Sequence, residues 1–136
     1  MDTGSDSATA HVLTVDGRRL HCRLWTGSGG GAPVLLVHGG GAHAHWWDAL
    51  VPALGGAHTL IAPDLRGHGQ SDWAERYQIE DFGADLLAVL DALAPEPAAL
   101  VGHSMGGRIT TWLAAHHPQR VRAMALLDAR LGQIKA

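Results

Sequence analysis

The chain holds a single cysteine, Cys22, among 136 residues, which excludes an internal disulfide and fits a reducing compartment; cytoplasm is the expected location. No apolar run approaches the roughly 18 residues that a membrane-crossing helix needs, so no membrane partner is expected. An excess of basic charge is also missing: 10 Lys plus Arg stand against 13 Asp plus Glu, with no basic stripe to attract nucleic acid. Residues 1–10 have neither a basic segment nor an apolar stretch, and read as a disordered tail rather than a secretory signal or transit peptide. No G-x-G-x-x-G or P-loop spacing stands at a strand-to-helix junction, and no cofactor is expected. What remains is a near-neutral chain of one-domain length with 46% hydrophobic residues, the composition of a globular, soluble protein.

The most informative stretch present is Gly102-His103-Ser104-Met105-Gly106. This G-x-S-x-G pentapeptide follows the apolar run Ala98–Val101, bounded by Pro95 and Pro97 and too short for a surface helix, which reads as a buried strand. After it Ile109, Trp112, Leu113 and Ala115 recur at helical intervals until Pro118, so a helix is expected from about Met105 to His117. A serine at such a strand-to-helix turn is held in strained geometry with its hydroxyl clear of the sheet, the arrangement of a nucleophile. The alternative is an ordinary serine capping the helix.

Elsewhere strands and helices alternate. His11–Val15 and Leu20–Trp25 form a hairpin about Asp16-Gly17. A Gly/Ser loop from Thr26 to Ala32 precedes a doubly apolar strand, Pro33–Val37. Trp46–Leu54 reads as a short helix, His58–Ala62 as a strand, Pro63–Trp73 as a loop and Val121–Leu127 as another strand. Ile79, Phe82, Leu86, Val89, Leu90 and Leu93 trace one apolar stripe of an amphipathic helix. The pattern predicts an α/β fold, a mostly parallel sheet with helices on both faces, without internal repeat or second domain. The expected organisation is a tail over 1–10, the domain over 11–131 and a short polar tail over 132–136.

Three segments in this order, Val37-His38-Gly39-Gly40-Gly41, Asp64-Leu65-Arg66-Gly67-His68-Gly69-Gln70-Ser71-Asp72 and Gly102-His103-Ser104-Met105-Gly106-Gly107, resemble successive signatures of the α/β-hydrolase superfamily. The resemblance covers about residues 11–131 and implies the N-terminal part of that fold, lacking its last strands. It implies an acyl-enzyme mechanism in which Ser104 attacks a carbonyl carbon and the N–H groups of Met105 and Gly40 bind the oxyanion. The implied partner is a small-molecule acyl substrate, and the leaving group stays open because the superfamily spans many reactions.

Around the serine, His38, Gly39, Gly41, Trp46 and His103 form the candidate substrate-contacting set, although His38 and His103 also read as structural histidines bonding their loops. Trp46 and Trp47 read equally as lining an acyl pocket or as one packed and one half-exposed residue, and His43 and His45 as substrate contacts or solvated loop residues. Asp64, Arg66, His68 and Asp72 offer metal-ligand chemistry, but in related proteins this loop is a structural turn with an internal ion pair, and no metal is expected. In the superfamily the acid and then the histidine base follow the serine. Asp128 is the candidate acid. The histidines after Ser104 are His116 and His117, at the far end of the expected helix, about 18 Å away along its axis. The chain therefore reads as the N-terminal half of a serine hydrolase of esters, weakly active at best alone, with an exposed sheet edge prone to self-association. The competing reading is a non-catalytic module that binds a small apolar ligand near Trp46-Trp47.

Overall fold

Asp16 and Gly17 adopt φ of 51° and 77°, the paired left-handed conformation of a tight hairpin turn whose twist matches that of its strands. In the computed structural model, which describes residues 8–54 and 56–127, this turn joins β1 (Thr9–Val15) to β2 (Arg18–Trp25) in antiparallel register, Val15 opposite Arg18. β1 starts at Thr9, so Thr9 and Ala10 belong to the sheet rather than to a tail. Their backbone groups face Leu24 and Arg23, and the Thr9 hydroxyl donates to the Leu24 carbonyl at 3.4 Å. The expected boundaries at residues 131 and 132–136 lie outside the described residues.

Four further strands complete the sheet: β3 (Val34–Val37), β4 (Leu60–Pro63), β5 (Ala98–His103) and β6 (Val121–Leu127), in the spatial order β1-β2-β4-β3-β5-β6. β2 pairs antiparallel with β4, whereas β3 pairs parallel with β4 and β5, and β5 with β6. Alternation along β3 decides the two cores. Leu35 and Val37 face a layer made by two helices, α2 (Ile79–Leu93) and α3 (Met105–His116), whose Leu86, Val89, Leu90, Ile109 and Leu113 are buried there. Val34 and Leu36 face the opposite side, packed with Ala44, Trp47 and Val51.

That second face is not covered by the single helix expected over 46–54. A 3₁₀ turn, Ala44–Trp47, is followed by one α turn, α1 (Val51–Leu54). Pro52 explains the break: a continuous helix would drive its ring into the carbonyl of Asp48 and leave that carbonyl without a donor. β4 starts two residues later than expected; before it the Gly56 and Ala57 carbonyls accept the N–H groups of Ser28 and Gly31 in the Gly/Ser loop, and His58 donates from its Nδ1–H to the Ala32 carbonyl at 2.8 Å.

α2 begins on a capping box in which the Gln78 N–H donates to Asp81 Oδ2 at 3.0 Å, and its expected apolar stripe faces the core. At Gly83 the Trp112 ring of α3 lies so close that an added Cβ would come within 2.3 Å of it. β6 closes the described sheet, and Met124 and Leu127 on it are 39% and 37% exposed. Among the described residues no helix is long and apolar enough to cross a membrane.

Candidate active site

β5 delivers the chain to Ser104, which holds φ 55° and ψ −120°. This is a region that side chains with a Cβ avoid, and Asp16 is the other non-glycine residue with positive φ among those described. A conformation of this kind costs on the order of 1–3 kcal/mol and persists only where its surroundings impose it. They do so here. The Ser104 N–H donates to the Leu127 carbonyl at 3.1 Å, and its carbonyl accepts the Gly107 N–H at 2.9 Å. A Cβ on Gly102 would meet the Gly106 carbonyl oxygen at 2.6 Å, and one on Gly106 would meet the Val37 carbonyl oxygen at 2.2 Å. Only glycine at both positions lets α3 start this close to β5 and β3.

The hydroxyl of Ser104 makes no capping bond to the helix and the residue is exposed, so the alternative of an ordinary capping serine does not hold. Among the described residues the Oγ has no hydrogen-bond partner, and it stands at the N-terminus of a twelve-residue helix, where the aligned peptide dipoles favour negative charge.

The loop after β3 rests against this turn. A Cβ on Gly39 would lie 3.0 Å from the Ser104 Cβ, so the loop backbone touches the serine directly. The loop is closed by the Ala42 N–H on the Gly39 carbonyl at 3.1 Å and by Gly41 at φ 79°. Gly40 is exposed with the Met105 sulfur 3.8 Å from its Cβ position. Among the described residues neither the Gly40 N–H nor the Met105 N–H donates to a protein acceptor. They lie on the two segments that meet at Ser104, the Gly39–Gly41 loop and the start of α3.

His38 holds this loop from behind. Its fully buried ring accepts the Leu65 N–H on Nε2 at 3.1 Å and donates from Nδ1 to the Gly39 carbonyl at 2.7 Å. Burial pushes its pKa down to about 4, so the ring is neutral at pH 7. With both nitrogens engaged and no exposed surface, His38 faces the interior. This fits the structural reading that the sequence also offered for His38, and the ring has no exposed surface for the substrate contact expected of it.

Asp64 anchors the rest. Its buried carboxylate accepts the Ala44 N–H at 2.7 Å, the Gln70 N–H at 3.1 Å and His21 Nδ1 at 3.0 Å, which ties the 3₁₀ turn to the end of β4. Arg66 forms a buried fork on Asp85 at 2.7 and 2.9 Å. Asp72 pairs with the exposed Arg19. The acidic residues of this loop are therefore spent on structure, and among the described residues no cluster of three or more His, Cys, Asp or Glu side chains is suited to hold a metal.

The tryptophan pair divides. Trp47 is fully buried beneath the sheet, whereas Trp46 is 45% exposed and stacks on the His103 ring at 4.3 Å and 23°. A cavity of about 640 Å³ between the β1–β2 turn and Trp73–Arg76 is lined by neither Ser104 nor Trp46, Trp47 or His103; its arginines, Arg66 among them, are engaged with Asp85 and Asp81. His116 lies at the far end of α3, donating from Nδ1 to the Trp112 carbonyl at 2.9 Å, and among the described residues no histidine ring bonds Ser104. Asp128 lies outside the described residues.

A profile for the alpha/beta hydrolase fold matches residues 32–134. The chain belongs to the α/β hydrolase family. It is similar to the lipase LipV of Mycobacterium tuberculosis, 41% identical over 109 residues that span 80% of this chain and 41% of LipV. It is likewise similar to the monoglyceride lipase of Mus musculus, 37% identical over 127 residues covering 87% and 42%. Among solved structures the epoxide hydrolase CorEH superposes with a TM-score of 0.86 at 31% identity, covering 95% of this chain and 45% of that one. The chain therefore spans less than half the length of these α/β hydrolases.

Proposed function

We propose that this α/β hydrolase chain carries the nucleophile and oxyanion hole of a serine hydrolase acting on esters or related acyl compounds. The observation that carries this reading is the conformation of Ser104: strained, exposed, uncapped and at a helix N-terminus. Its Oγ attacks the substrate carbonyl carbon and gives up its proton to a base. The carbonyl oxygen becomes an oxyanion that accepts the N–H groups of Gly40 and Met105, and collapse expels the alcohol to leave an acyl-enzyme that water hydrolyses. His38 positions the Gly39–Gly41 loop for this role.

The base is a histidine from outside the described residues, in the part of the relatives' length that this chain does not span. Asp128, where an acid sits in some superfamily members, is the proposed acid. Without the histidine, turnover by this chain is slow, and what remains comes from the oxyanion donors and substrate binding. Exogenous imidazole serves as a substitute base. Hydrolysis of p-nitrophenyl butyrate is therefore expected to gain a component that rises with imidazole concentration and disappears in Ser104→Ala. Equal rates for the parent and Ser104→Ala at every imidazole concentration would overturn the proposal and favour a module that binds an apolar ligand without turning it over.

A further inference from the structure

The cavity of about 640 Å³ between the β1–β2 turn and Trp73–Arg76 has the size of a small-molecule site, and the protein does not fully balance the cations that line it. These are Arg18, Arg66 and Arg76. Arg66 is saturated: Nε and Nη2 donate to Asp85 at 2.7 and 2.9 Å, and Nη1 donates to the Arg76 carbonyl at 2.8 Å. Arg76 is matched by Asp81 at 2.8 Å. Arg18 is neither saturated nor matched. Its Nη2 reaches, at 3.3 Å, the same Asp85 oxygen that Arg66 Nη2 already holds, and its buried Nη1 has no hydrogen-bond partner among the described residues. Asp72, whose carboxylate also feels the charge of Arg18, is taken by the backbone N–H of Arg19 at 2.8 Å and by its guanidinium at 3.2 Å. Two guanidiniums therefore share one carboxylate that is 3% exposed, which leaves one positive charge and one donor uncompensated in a largely buried setting.

The partner that Arg18 lacks is an acceptor with negative charge. Its charge is limited to one, because the exposed residues Asp16 and Glu75 line the same cavity and their carboxylates would repel a dianion. Trp73, 81% exposed, gives the cavity an apolar wall for the rest of the occupant. We infer that this cavity binds a small monocarboxylate with an apolar body, its carboxylate on Arg18 and its body against Trp73. The cavity is lined neither by Ser104 nor by the Gly39–Gly41 loop, so the inference stands apart from the proposed hydrolysis.

Hexanoate and its neutral counterpart, hexanamide, titrated into the ¹⁵N-labelled chain and followed by NMR of the backbone amides, test it. Hexanoate is expected to shift the amides around Arg18 and Trp73 and to bind about tenfold more tightly than hexanamide, because only the acid meets the guanidinium with a charged acceptor. Arg18→Gln is expected to erase that ratio, and Trp73→Ala to weaken both ligands alike. Glu75→Gln is expected to tighten hexanoate about twofold by removing a repelling charge. Each variant is first shown to keep the parent's cooperative thermal transition, and the exposed positions Trp73 and Glu75 carry the test should Arg18→Gln fail to fold. Equal affinities for acid and amide, a ratio that survives Arg18→Gln, or affinities unmoved by Trp73→Ala and Glu75→Gln would overturn the inference. So would inorganic phosphate binding as tightly as hexanoate, shifts confined to the amides of Gly40, Ser104 and Met105, or no binding at millimolar concentration.

Discussion

Replacing Gly106 by alanine tests the packing that creates the nucleophile turn. A methyl group there would sit 2.2 Å from the Val37 carbonyl oxygen, 2.6 Å from that of His38 and 2.8 Å from the Val37 carbonyl carbon. All three are backbone atoms of β3 or its end, and cannot swing away as a side chain does. Overpacking of this kind costs about 1–3 kcal/mol, and a rigid backbone neighbour places this case at or above the upper end. Alanine recovers up to about 1 kcal/mol through its better helix propensity. The net expectation is a loss of about 2 kcal/mol, equivalent to a fall in Tm of roughly 5–10 °C for a domain of this size. Thermal unfolding followed by far-UV circular dichroism reads it. Gly40→Ala is the internal control, because its methyl would find the flexible Met105 side chain no nearer than 3.8 Å. Gly106→Ala with a Tm within 2 °C of the parent would refute the claim that α3 starts in backbone contact with β3.

Other consequences can be measured separately. Asp85→Ala strands the buried Arg66 guanidinium and removes a partner of Arg18, so urea unfolding is expected to show a loss of about 3–5 kcal/mol; a change below 1 kcal/mol would contradict a buried fork. Burial lowers the His38 pKa from about 6.5 in the unfolded chain to about 4 in the folded one, a difference worth about 3.5 kcal/mol at 1.4 kcal/mol per unit. The unfolded chain binds the extra proton, so this stability is present above pH 6.5 and drains away as pH falls toward 4. His38→Asn should flatten that part of the stability–pH profile, and parallel profiles for the two proteins would refute the assignment. The exposed β6 is proposed to drive self-association, visible by light scattering as a mass that grows with concentration and is reduced by Met124→Lys. A compact monomer at all concentrations would contradict that.

Local signals gave most of the fold. Asp16-Gly17 announces its hairpin because few dipeptides tolerate two positive φ values, and the stripe from Ile79 to Leu93 announces α2 because its period survives into the core. The Gly102 and Gly106 spacing identifies the turn at Ser104 because only glycine fits the contacts there. Legibility fails where distant residues decide. Pro52 was visible, but where the helical segment before it ends depends on how Trp47 is buried beneath β3. Trp46 and Trp47 are chemically identical neighbours, and only the sheet below them and His103 beside them set one apart from the other. The inward direction of His38 follows from Leu65, and the role of Asp64 from His21 and Ala44, pairings that no local periodicity encodes.

The most direct test of Ser104 as a nucleophile is intact-mass detection of a fluorophosphonate adduct on the folded chain, with imidazole supplied as base and Ser104→Ala alongside. A single adduct that maps to Ser104, forms faster as imidazole is raised and is missing from Ser104→Ala is the predicted result. A folded chain that takes no label at any imidazole concentration, or takes it equally in Ser104→Ala, would contradict the account.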